Sequence, residues 1–303
     1  MLGFFFEDRT LMALGALLYG IAFFFVLLFV RRDRSHPPSI TYGIVVLGWL
    51  LQTAGMYLRG LEVGGCPLGN AFEILQFVVW SLVLLYLVVG SSFRVSLLGF
   101  FCSGLAALLG LFSLIPAFDQ TRREWMEGVS VWIELHAALA LFSYGVFAIL
   151  ALVSAMFLLR DYSLKKKTFH GVFHFLPSIK QLEEIKYRLL VTGLLILSVS
   201  LLLGGVNWSQ GEGTLYTNKF ISTLALWLCY LILMFLRWRQ TLQPASQAWA
   251  YIGLFLIALI TLGPVNASRG AFAPVPDDSD TSSLNETTPS QSGPISPELR
   301  TSH

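Results

Sequence analysis

His136 stands inside the long apolar run WIELHAALALFSYGVFAILALVSAMFLL, and hydrocarbon penalises such a group by a few kcal/mol unless a partner or cofactor compensates it. An imidazole in that position can ligate iron or another metal, relay a proton, or hydrogen-bond a neighbouring helix. Ser143 and Tyr144 follow at helical spacing, two turns deeper on the same face. A second constellation lies in PLGNAFEILQFVVW, where Asn70, Glu73, Phe77 and Trp80 recur every three or four residues on one helix face. A carboxylate so close to the start of an apolar segment points to packing against protein; the plainer reading is a headgroup-level Glu73 favoured by the helix dipole. A third group, VNWSQGEGTLYTNKF, offers Trp208, Glu212, Tyr216 and Lys219, and its aromatics also suit an interfacial belt. His170 and His174 have the i, i+4 spacing of a metal pair, but no third ligand stands near them, so they read as solvated loop residues.

The elements that must carry these groups are membrane helices. The 303-residue chain is 55% hydrophobic and 13% charged with a mean hydropathy of +0.68, against about 25% charge in soluble domains. Apolar windows recur at 11–30, 40–58, 72–89, 95–115, 132–159, 189–206, 220–238 and 248–264. Each is long enough to cross a bilayer at about 1.5 Å per residue, and none alternates as a β-barrel strand would. The expected fold is an all-α integral membrane protein of about eight transmembrane helices. Residues 1–272 form the membrane domain, and 273–303, rich in Pro, Ser, Thr and Asp, form a disordered polar tail.

Charge orients the bundle. The first span, without a clear cleavage site, reads as a retained anchor between Glu7 and Asp8 on one side and Arg31, Arg32 and Arg34 on the other. Of 20 Lys and Arg, 13 fall after spans one, three, five and seven and 7 on the other side, which places both termini outside. On that topology His136, Glu73 and Trp208 share the outer side. In the longest inner loop, LPSIKQLEEIKYR carries a capping signal in Ser178 and Gln181 and an apolar stripe of Ile179, Leu182 and Ile185, which predicts a surface helix feeding span six. The basic loops are accounted for by topology and anionic lipid, and no patch suits nucleic acid.

Other chemistries are excluded or weak. Cys66, Cys102 and Cys229 form neither CxxC nor CxxCH, which argues against a thiol carrier and against covalent haem attachment. Asn207, Asn266 and Asn285 begin short glycosylation patterns that matter only in a eukaryotic secretory setting. No inverted repeat is visible and charges cluster near span ends, which disfavours a small-solute transporter.

Three strings in order give the chain a family likeness. PLGNAFEILQFVVW resembles the PLSN-[LY]-[FY]-ES-L-x-F-x-x-W segment of cytochrome c assembly proteins of the CcsA and CcmC type and of their HemX-like relatives. LHAALALFSYGVFAIL is similar to the stretch in which a histidine is followed seven and eight residues later by Ser-Tyr, and LPSIKQLEEIKYRLLVTG to the amphipathic helix and Tyr-Arg ahead of the next span. The resemblance runs from about residue 40 to 266. It implies haem (haem b) handled at the outer face, with His136 as an axial iron ligand and Trp208, Glu73, Trp80 and Tyr144 lining the site. The matching tryptophan-rich segment is thinned to Trp208, and GPVNASRGAF holds Arg269 where the family has a second histidine. Met12, Met56 and Cys66 are substitutes near the outer side, and Arg59, Arg122 and Arg123 are placed to pair with propionates.

The expected function is a non-catalytic, multi-pass subunit of the bacterial inner (plasma) membrane that binds or escorts haem for cytochrome c assembly. Its partners would be membrane lipid, cytochrome c maturation proteins and, indirectly, apocytochrome c. The alternative is a haem-free scaffold or regulator of tetrapyrrole biosynthesis of the HemX-like kind.

Overall fold

The computed structural model describes residues 7–32, 37–93, 97–119, 131–167, 176–208 and 214–267. These form eight α-helices and no strand: α1 (Asp8–Arg31), α2 (Pro38–Val63), α3 (Ala71–Phe93), α4 (Leu98–Ser113), α5 (Val131–Lys166), α6 (Ile179–Trp208), α7 (Thr214–Trp238) and α8 (Pro244–Ala267). Six contain a stretch long and apolar enough to cross a membrane; α4, at 16 residues, and the apolar stretch Pro244–Ile260 of α8 are shorter. Leu202 and Ile260 are each 72% exposed among many bare aliphatics, a surface suited to lipid.

Leu182 and Ile185 bury their stripe as expected, and the Gln181 amide bonds Ser178 Oγ at 3.3 Å. The helix they start does not lie apart on the surface. It continues unbroken to Trp208, because no Pro or Gly interrupts the run before Gly193. The His170–His174 pair, Arg122, Arg123 and the polar tail fall outside the described residues.

Two halves pack around different kinds of core. In the first, α1 and α2 approach closely because both lack side chains at the crossing: a Cβ on Gly15 would lie 2.9 Å from the Gly48 carbonyl, and one on Gly48 would lie 2.8 Å from the Tyr19 ring. Beside that crossing a buried polar chain links four helices. Tyr19 donates to Gln52 Oε1 (2.8 Å), Gln52 Nε2 to Gln76 Oε1 (2.7 Å) and to the Gln76 carbonyl (3.0 Å), and Gln76 Nε2 to Ser113 Oγ (2.9 Å). Every member is satisfied, so the chain ties α1, α2, α3 and α4 in one register. Gln52→Leu strands the Tyr19 hydroxyl and Gln76 Oε1, and is expected to cost about 1–3 kcal/mol in thermal unfolding of the detergent-solubilised protein. The second half, α5 to α8, is mostly aliphatic and aromatic; Tyr230 stacks on Phe147 with centroids 3.8 Å apart.

Candidate functional site

The starts of α1, α3 and α5 and the ends of α2, α4 and α6 meet at one end of the bundle. His136 sits in the second turn of α5, facing the end of α6. Its Nδ1 lies 2.6 Å from the Ser200 carbonyl oxygen and 3.0 Å from Ser200 Oγ, whose hydroxyl donates to the His136 carbonyl at 2.8 Å. A carbonyl only accepts, so Nδ1 carries a proton. In neutral imidazole that leaves the lone pair on Nε2, which takes no part in these bonds. Gly204, one turn further along α6, makes the room: a Cβ there would lie 2.7 Å from His136 Cε1. Ser200 and Gly204 are thus site residues that sequence reading missed. Their only sequence signal is a position one span away, seen once helix pairing is known.

The remaining expected residues gather at the same end or below it, in other company. Glu73 is 4% exposed and forms a capping box at the start of α3: its amide donates to Asn70 Oδ1 (2.8 Å), and its Oε2 accepts from the Gly69 amide (2.6 Å) and the Asn70 amide (3.3 Å). Its other oxygen takes Arg59 Nε at 2.9 Å. Both oxygens are committed within the protein, so the headgroup reading gives way to burial against protein. Arg59 was expected to meet a propionate; its guanidinium instead pairs Glu73, Asp8 (3.0 Å) and Asp119, with no edge left over. Asp119 also pairs Arg9 at 2.9 Å, and both arginines lie over the face of buried Phe72.

Trp80 donates its indole N–H to Thr53 Oγ1 (2.9 Å) and stacks on Trp49 across α2 and α3. Tyr144 is buried in the core of α5, and Ser143 bonds the Ala140 carbonyl (2.6 Å). Trp208 ends α6, one turn beyond Gly204. Neither Met12 nor Cys66 offers an easy second ligand. Met12 is 1% exposed and packs where a Cβ on Gly55 would meet its Cγ at 2.8 Å. Cys66 follows the left-handed turn at Gly64 (φ 73°) that ends α2. Burial, and after it the carboxylates of Glu134 and Glu73, push its thiol up to about 11, so it stays protonated at neutral pH. Among the described residues no three His, Cys, Asp or Glu converge as a metal cage.

The fold and this end define a multi-pass helical membrane protein that presents one oriented imidazole between two of its helices. Residues 68–269 match the family model described as cytochrome C assembly protein, and the chain belongs to that family. It is 29% identical over 265 residues to protein HemX of Brevibacillus brevis, covering 85% of this chain and 96% of that one. It is 26% identical over 280 residues to the cytochrome c biogenesis protein CcsA of Synechococcus sp. (strain RCC307), covering 84% and 90%. Against protein NrfI of Wolinella succinogenes it is 28% identical over 245 residues, 78% of this chain and 23% of NrfI.

Proposed function

We propose that this chain works in cytochrome c biogenesis as a non-catalytic subunit that binds or escorts haem at the outer face of a bacterial plasma membrane. His136 carries the reading. Its Nδ1–H is tied to the Ser200 carbonyl, which orients the ring and leaves Nε2 as the ligating nitrogen, the arrangement that metal-bound histidines use. The residues fit one ligand to haem iron: His136 would hold it, with Trp208 one turn beyond Gly204 on α6, while Glu73, Trp80 and Tyr144 are engaged within the bundle. Bound haem supplies a redox-active iron and two carboxylates, and the chain supplies orientation and an apolar wall. Family membership and the name of the CcsA relative support this reading.

One observation favours the alternative, a haem-free scaffold or regulator. His136 is the only histidine among the described residues, whereas a haem held by two histidines needs another. The absorption spectrum of protein purified from a haem-replete host decides between the two. A Soret band that titrates with polypeptide supports haem handling, and its absence leaves the scaffold.

The α6 residues give a sharper prediction. Ser200→Ala removes the hydroxyl but keeps the carbonyl that holds Nδ1, so haem retention should fall by only a few-fold. Gly204→Val drives side-chain carbon into the imidazole and should lower retention by about 10–100-fold, the range seen when a histidine's outer-shell support is lost. Equal effects of the two, measured by haem titration in detergent, would remove the carbonyl from the account.

A further inference from the structure

The opposite end of the bundle holds a cluster of buried polar side chains that haem handling does not use. The Tyr230 and Tyr251 hydroxyls are buried without an acceptor, and beside them Glu183, Lys186 and Arg237 form a buried ion-pair cluster. They come from the start of α6, the end of α7 and the start of α8. Lys186 is 0% exposed, with Nζ 2.6 Å from Glu183 Oε1 and 3.7 Å from the Phe157 ring centroid. Arg237 reaches the same carboxylate at 2.9 Å and the Glu183 carbonyl at 3.2 Å. The Tyr251 hydroxyl lies within electrostatic reach of both Arg237 and Glu183.

Two tallies point the same way. Lys186 and Arg237 share one carboxylate, so this buried group carries an excess positive charge. Lys186 Nζ and Arg237 Nη1 both depend on the one Glu183 carboxylate, and the buried Tyr230 and Tyr251 hydroxyls find no acceptor at all. What the cluster lacks is acceptors and negative charge, and an anion supplies both. Its depth selects the anion further. Arg237 is 20% exposed at the last turn of α7, Trp238 next to it in sequence is 76% exposed, and this is the level at which aromatic belts meet lipid phosphates.

We propose that Lys186, Arg237 and Tyr251 form a phosphate-binding site at the end of the bundle opposite His136, entered past Arg237. Arg237 and Tyr251 donate to the phosphate oxygens, and Lys186 neutralises it from behind. The phosphate belongs either to an anionic lipid headgroup or to a soluble ligand.

The test is thermal unfolding of the full chain in a neutral detergent, titrated with inorganic phosphate against chloride at equal ionic strength, and with phosphatidylglycerol against phosphatidylcholine. A saturable rise in Tm with phosphatidylglycerol alone assigns a lipid headgroup, and one with inorganic phosphate assigns a soluble ligand. Tyr251→Phe, which deletes one hydroxyl, should move the half-saturation point about tenfold higher. Lys186→Met should abolish the response; where that variant fails to fold, Tyr251→Phe carries the test. No saturable rise in any arm, or a Tyr251→Phe titration like that of wild type, overturns the proposal. His136→Ala should titrate as wild type, so this site stands or falls apart from the haem reading.

Discussion

Purified His136→Ala should lose its haem absorption while keeping the unfolding temperature of the wild type within a few degrees. The argument rests on what the side chain touches. Its bond to the Ser200 carbonyl is a second use of an oxygen that α6 already employs, so removing the ring leaves no orphan on that helix. The Ser200 hydroxyl bonds the His136 main-chain carbonyl, which survives the substitution. The fold therefore loses little, whereas the iron would lose the one imidazole the described residues offer. Haem per polypeptide should drop by more than about tenfold, the lower bound when even an outer-shell partner of a metal-bound histidine is removed. His136→Gly with added imidazole gives the complementary result: recovery of the Soret band shows that a ligand was deleted and that its cavity remained. A wild-type spectrum unaffected by either substitution would take iron ligation away from His136.

How far such a site can be read in advance depends on whether its partners are near in sequence. The helices were legible because hydrocarbon demands long apolar runs, and the apolar run does not depend on tertiary context. The capping box of Asn70 and Glu73 lies within four residues, and the apolar run that begins at Phe72 already put Glu73 near a helix start. The grip on His136 was illegible because Ser200 is 64 residues away, and one serine in an apolar helix looks like any other. Arg59 was misjudged for the same reason. An arginine near a span end reads as a cation awaiting an anion, and nothing local announces that Asp8, 51 residues earlier, and Asp119, 60 residues later, converge on it. Long-range pairing also decided how the amphipathic helix before span six lies: its stripe was correct and it feeds the span, but it runs into α6 without a break, with one face packed and Glu184, Tyr187 and Arg188 exposed.

Those long-range partners make Arg59 the residue on which stability depends most. Its side chain is 6% exposed, as is that of Asp119; Glu73 is 4% and Asp8 15% exposed. Three carboxylates surround two guanidinium groups, so the cluster is already one charge negative before anything is removed. Arg59→Met leaves Glu73 with only its capping amides and Asp8 without its ion pair, in a place water hardly reaches. A buried ion pair deprived of one partner costs about 3–5 kcal/mol, and this substitution should reach that range in detergent unfolding. Arg9→Met removes a 36% exposed partner of Asp119 and should cost less than about 1 kcal/mol. Arg59→Lys keeps the charge but cannot span three acceptors held by Nε, Nη1 and Nη2, and so should fall between the two. Pairing Arg59→Met with Glu73→Gln removes a stranded negative charge along with its partner, so the double variant should be less destabilised than the sum of the singles by about 1–3 kcal/mol. Additive losses would mean that the pair does not act as a unit. The consequence reaches the His136 end, because the Cys66 loop between α2 and α3 lies near enough to feel both Glu73 and Glu134, two residues before His136. Arg59→Met should therefore weaken haem retention only as the fold loosens, and cooling should restore it, whereas His136→Ala stays haem-poor at every temperature where the protein is folded.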